Sequence, residues 1–175
     1  MTLRTWMVGA AAIVFIAGCS KAPKPMTDAE RTALGDSVSQ VVTQGFAGFA
    51  TNASADNILA SYVKGNELVH AEYGMIYPTY DSLVKVVRAI WRPGTTAHFT
   101  LDQRRVTVLD RDVVVFTALM NGTVKDSAGK EEPFHEAWTA VYHRTLDGWK
   151  IAADHESMAP AAPMPAFAKP APRAR

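Results

Sequence analysis

The chain holds a single cysteine, at position 19. One thiol excludes a disulfide framework and a Cys-rich zinc site. Charge of either sign is also in short supply: 18 Lys and Arg face 17 Asp and Glu over 175 residues, a net +1. That balance argues against a dedicated nucleic-acid binder, which carries a strongly basic face. No G-x-S-x-G elbow, no phosphate-binding P-loop and no internal repeat occurs. No apolar run approaches the roughly 20 residues that span a bilayer. What the chain does have is apolar content of 48%. A core is therefore available, and a wholly disordered chain is excluded.

The N-terminus reads as an address. Met1 to Trp6 carries Arg4, an apolar stretch runs from Met7 to Ala17, and Gly18-Cys19 follows. A short basic region, an apolar region of about ten residues and small residues at its end make a secretory signal. Ile16-Ala17-Gly18-Cys19 resembles the lipobox of bacterial lipoproteins. The resemblance implies cleavage after residue 18, acylation of Cys19 and an anchor of several acyl chains. One chain alone anchors only marginally, at about 0.8 kcal/mol per buried methylene. Ser20 follows where an aspartate would favour inner-membrane retention. The expected location is the bacterial cell envelope, lipid-anchored and extracytoplasmic, with the outer membrane favoured if there is one. An acylated Cys19 is no catalytic thiol.

Residues 19–25 form the lipidated cysteine and a Lys- and Pro-bearing tether. Residues 159–175 hold half of the ten prolines, with Ala, Lys169, Arg173 and Arg175. That tail is expected to be extended, since it has nothing to pack into a core. A folded domain over 26–158 remains. Six of the 18 basic residues lie outside it and all 17 acids lie inside, so the domain carries a net −5.

Within it the hydrophobic period changes once. Thr27 with Glu30 makes a capping box, and Leu34, Val38, Val41, Val42 and Phe49 follow at helical spacing. Ser54 or Asp56 caps a short second helix through Leu59 and Tyr62. Gly65-Asn66 turns into a short strand over 67–71. A third helix spans Thr79–Trp91 and stops at Arg92-Pro93-Gly94. From His98 on, four hairpin-linked strands are expected: 98–109, 112–124, 133–145 and 148–157. Helices followed by strands define an α+β fold with helices against one face of an antiparallel sheet. Val113 to Met120 is apolar on both faces, so both need cover. A second copy of the chain is the simplest cover for the outer one.

The order helix, short helix, strand, helix, four strands, ending in Trp138…Tyr142, Asp147-Gly148-Trp149-Lys150-Ile151 and His155-Glu156-Ser157, resembles the NTF2-like superfamily. The nearest branch is that of SnoaL-like and DUF4440-type domains. The resemblance covers 26–158. It implies a cone of helices on a curved sheet around a pocket, dimerisation through the outer sheet face, and no cofactor. Members include isomerases, dehydratases and domains without chemistry, so the fold leaves function open.

Three readings follow. The first is a non-catalytic pocket for a small, largely apolar ligand, walled by Tyr62, Tyr73, Trp91, Trp138 and Tyr142, or a domain serving an envelope complex. The second is a cofactor-free isomerase or dehydratase. Glu72 would be its base, as the resemblance implies for a carboxylate just after the first strand, and His155 or a Tyr would donate a hydrogen bond. The third is an interaction module whose cone is filled by its own side chains. Strand parity puts His155 on the side of Trp149, Ile151 and Ala153, with Asp154 and Glu156 opposite. It puts Glu136 on the side of Trp138 and Tyr142. His98, His135, His143 and His155 lack the spacing of metal ligands, so no metal is expected.

Overall fold

A computed structural model describes residues 24–51 and 53–158. The lipobox with Cys19, residues 20–23 of the tether and the tail 159–175 lie outside the described residues. Three helices and six strands alternate as α1 (Asp28–Thr51), α2 (Ala55–Leu59), β1 (Val69–Glu72), β2 (Met75–Tyr77), α3 (Tyr80–Ile90), β3 (Thr96–Asp110), β4 (Val113–Lys125), β5 (Glu131–Thr145) and β6 (Gly148–Met158). The strands form one sheet in the order β2-β1-β6-β5-β4-β3. The architecture is the expected α+β cone. The sheet, however, is mixed: β1 runs parallel to β6 while every other pair is antiparallel.

The helix starts follow their caps. Thr27 Oγ1 accepts from the Glu30 amide at 3.2 Å, and the Glu30 carboxylate accepts from the Thr27 amide at 2.7 Å. Thr79 and Ser82 form the same reciprocal box before α3. Val38 and Val42 of α1 and Leu83 and Val87 of α3 are buried against the inner face of the sheet, with Val114, Phe116, Ala118 and Met120 of β4. Trp149 ties helix to sheet: its indole N–H donates to Ser37 Oγ at 3.0 Å. The outer-face residues of β4, Val113, Val115, Thr117 and Leu119, stay half-buried.

Three local devices shape the cone. Tyr73 (φ 51°) and Gly74 (φ 75°) join β1 to β2 across the Glu72–Met75 pair. Two central residues at positive φ match the right-handed twist of a tight hairpin. The sequence predicts neither this hairpin nor β2. At Gly122 the β3 backbone approaches so closely that a Cβ would stand 1.8 Å from the His98 carbonyl oxygen. Only glycine fits there. The third device is a bulge in β6: Val141 pairs with Ala153 and Tyr142 with Ile151, leaving Ala152 as the extra residue.

That bulge overturns the expected facing of β6. Trp149 and Ile151 point inward as predicted, but beyond Ala152 the alternation reverses. Asp154 is buried, Glu156 turns to the cavity, and His155 is exposed. A single extra residue moves every later side chain to the other face.

Candidate active site

The inner face encloses a cavity of about 360 Å³ between α1, α3 and the sheet. Its floor is polar and its walls are aromatic. The floor comes from three adjacent strands. His70 and Glu72 of β1 share the inner face, two residues apart, and both are buried. His70 pairs across with Asp154 of β6, and two residues on lies Glu156. Trp138 of β5 pairs with Glu156, and Glu136 precedes it by two on the same face. Four carboxyl groups and one imidazole therefore meet in one patch.

Their hydrogen bonds are unevenly shared. His70 Nδ1 lies 2.8 Å from Asp154 Oδ1, and Nε2 lies 3.4 Å from Glu72 Oε2. Asp154 Oδ2 accepts from the Tyr62 hydroxyl at 2.8 Å and from the Trp138 indole N–H at 3.3 Å. Asp154 is thus saturated. Glu136 is the opposite case: its residue is 0% exposed, and no N–H or hydroxyl donor of the described residues reaches either carboxyl oxygen, only the neighbouring Glu156 carboxyl standing within hydrogen-bonding reach. A buried polar group without a partner is rare and costly, and it calls for an explanation.

Burial and like charge set the protonation of this patch. Burial lifts the Glu136 carboxyl, the charge of Glu72 adds to it, and its pKa rises to about 8 although Glu156 and His70 pull the other way. Burial likewise lifts Glu156 well above the carboxylate range, with Glu136 and Asp154 adding. For His70, burial disfavours the charged ring. The hydrogen bonds to Asp154 and Glu72 and the Asp154 charge outweigh that, and the pKa rises to about 10. At neutral pH His70 is an imidazolium that donates through both ring nitrogens, and Glu136 holds a proton. Burial and the Asp154 charge raise the Tyr62 and Tyr142 hydroxyls, so both stay neutral.

The walls are rings. Phe49 of α1 stacks on Phe99 of β3 at 5.7 Å and meets Trp91, which caps α3, edge-on at 4.7 Å. Phe99 reaches Phe134 at 5.0 Å, and Phe46 reaches Trp138 at 5.7 Å. Such walls suit an apolar ligand fixed by a few polar groups.

The structure brings most of the sequence-predicted residues together. Glu72, Tyr62, Tyr73, Trp91, Trp138 and Tyr142 all line the cavity, Tyr73 at its rim with 64% exposure. Tyr62 and Trp138 have their polar atoms turned to Asp154. His155 does not join them; the bulge at Ala152 turns it outward, so a role at the cavity is corrected to none. His70, Glu136, Asp154 and Glu156 were missed as site residues. The i, i+2 spacing of His70 and Glu72 was a usable signal, as was the parity shared by Glu136 and Trp138. Nothing in the sequence around Ala152 marks the bulge. His70, Asp154 and Glu156 also place potential ligand atoms within 4.8 Å of one another, a grouping the histidine spacings do not suggest. Both His70 nitrogens and both Asp154 oxygens are, however, engaged with protein partners.

Fold and cavity together define a helix-covered cone with an acid–base patch inside. The family model described as the SnoaL-like domain matches residues 38–161, and the chain belongs to that family. Solved structures of the NTF2-like type share the fold. An NTF2-like superfamily protein from Salmonella enterica serovar Typhimurium aligns at TM-score 0.62 and 12% identity over 75% of this chain and 95% of that one. An NTF2-like family protein from Streptomyces avermitilis, named as a candidate dehydratase, aligns at 0.62 and 15% over 74% and 98%. A ketosteroid isomerase-like protein from Erwinia carotovora atroseptica aligns at 0.54 and 16% over 71% and 94%. None of the curated proteins matches the chain.

Proposed function

We propose that the cone is a cofactor-free acid–base active site, an isomerase or dehydratase site for a small, largely apolar molecule. The observation that carries this is Glu136, fully buried at the cavity with no N–H or hydroxyl donor of the described residues upon it and only the Glu156 carboxyl beside it. A group held so close to neutrality can give and take a proton at working pH. Glu72 is the proton acceptor, oriented by the His70 imidazolium, which Asp154 anchors from behind. Protonated Glu136 is the donor to the oxygen on which charge develops, the role that sequence reasoning offered to His155 or a Tyr. The rings hold the apolar body of the substrate. Non-catalytic ligand binding would use the same cavity but leaves the desolvated carboxyls without a task. A filled cone is at odds with the open volume.

The NTF2-like neighbours named for isomerase and dehydratase chemistry agree with this reading as a class. The test is conversion of β,γ-unsaturated cyclic ketones to their conjugated isomers, and of β-hydroxy ketones to enones, followed by ultraviolet absorbance. Glu72→Gln and Glu136→Gln should each lower the rate by about 10²-fold or more, the usual weight of a general acid or base. His155→Ala should keep it. Absence of turnover on both substrate classes, or equal rates in all variants, refutes the proposal.

The proposal extends to the setting. Acylated Cys19 holds the domain on the outer side of a bacterial membrane through the 20–25 tether. Two copies meet through the outer sheet face, where Val113, Val115 and Leu119 stay half-buried.

A further inference from the structure

The cavity has a charge imbalance that an apolar ligand would not answer. Glu72, Glu132, Glu136 and Glu156 line it, and His70 is the one basic residue among its lining side chains. Among the described residues no Lys or Arg lines it. His70 is already spent, with its two ring nitrogens on Asp154 and Glu72. What remains is Glu136, which no N–H or hydroxyl donor of the described residues reaches, and Glu156, the neighbouring carboxyl diagonal to it across the β5–β6 pair. Trp138, Phe46, Phe99 and Phe134 line the same cavity and touch one another. A carboxyl pair in a cavity lined with aromatic rings is complementary to a cation with apolar substituents.

We infer that the natural ligand carries an organic ammonium group, which sits between Glu136 and Glu156 while its apolar body fills the aromatic part of the cone. This rests on the reading of the cone as a small-molecule site and narrows its substrate class to amines. An ammonium N–H supplies the donors that Glu136 lacks, so the unpartnered group becomes satisfied on binding. Its charge also offsets the burial and like-charge repulsion that raise Glu156, which gives up its proton, while Glu136 keeps the proton that the acid–base reading uses. Binding near neutral pH therefore releases about one proton to solvent. The groups facing the pair are Glu72 and His70 from β1, Tyr73 from the turn after it, Asp154 from β6 and the neutral Tyr62 hydroxyl. A metal ion is a poorer occupant. It would have to take His70 and Asp154 from the partners that already saturate them, while an ammonium uses only the free carboxyl oxygens.

The experiment compares three probes of one shape, phenylbutylamine, phenylbutanol and phenylbutyrate, by titration calorimetry at pH 6.5 in two buffers of different ionisation enthalpy. The amine should bind at least tenfold more tightly than the alcohol, with the carboxylate weakest. Amine binding should release about one proton and alcohol binding none. Glu136→Gln and Glu156→Gln should each bring the amine-to-alcohol ratio to within threefold of one, and either variant suffices if the other does not fold. Equal binding of amine and alcohol, alongside ketone turnover, overturns the ammonium class and leaves the acid–base reading standing. No binding of any probe and no turnover overturns both. Zinc or manganese chloride that displaces the amine, with binding lost in His70→Ala, overturns the inference in favour of a metal.

Discussion

Replacing Glu136 by Gln changes one oxygen to an amide nitrogen, and the consequence should be read in the pH dependence of folding. The carboxyl has a pKa of 4.5 in an open chain and about 8 in the folded one. The folded state therefore binds more protons than the unfolded state between those values. Stability from this group is complete below pH 4.5 and is lost as pH rises towards 8. The whole interval corresponds to roughly 4–5 kcal/mol at about 1.4 kcal/mol per pH unit. The cleanest window is pH 5 to 6.5, before the His70 contribution begins to change. There the wild type should lose about 2 kcal/mol through Glu136 alone, and Glu156, raised for the same reason, adds in the same direction. Urea unfolding at pH 5.0, 5.75 and 6.5, followed by tryptophan fluorescence, measures it. Glu136→Gln bears a constant cost for a buried amide, so its curve should start lower and be flatter by about 2 kcal/mol across the window. Wild-type stability that is level or rises from pH 5 to 6.5 would refute the reasoning. So would a variant with the wild-type slope.

The other outcomes are simpler. His70, raised from 6.5 to about 10, adds stability that is complete below pH 6.5 and is lost as pH climbs through 10; His70→Ala should flatten the alkaline limb of the same unfolding series. Gly122→Ala forces a methyl into the His98 carbonyl, and should cost about 3 kcal/mol or more in urea unfolding. Cys19→Ser should leave the chain uncleaved or released from the membrane fraction; membrane retention with normal processing would count against the lipid anchor. Sedimentation of the soluble domain at micromolar concentration should give a dimer, and a clean monomer would leave the outer face of β4 needing another cover.

Much of the fold was legible because its signals are local. The capping box at Thr27 and Glu30, the stop at Arg92-Pro93-Gly94 and the Asp147-Gly148 turn each act within a few residues, and each marks an element boundary to within a residue or two. The β1–β6 pairing was not legible, because a parallel contact between segments some 80 residues apart leaves no local trace. The site divides in the same way. Glu72 could be placed by the family resemblance, and Trp138 and Tyr142 by strand parity. Asp154 and Glu156 could not, because their facing depends on the extra residue at Ala152. Glu136 was assigned the right face, but its want of a partner is a property of its neighbours in space.

The bulge at Ala152 works as a frame shift written in side chains. Upstream, β6 presents Trp149 and Ile151 to the interior; downstream, it presents Asp154, Glu156 and Met158. Straightening the strand with every residue kept would hand the cavity Ala153, His155 and Ser157 instead, whereas deleting Ala152 would leave Asp154 and Glu156 facing inward in the same pairing. Two relatives with the same residues in this stretch, one bulged here and one regular, would present different side chains to the cavity on the same scaffold. In this fold the place of the bulge in the last strand, and not only the strand's letters, decides which side chains reach the cavity.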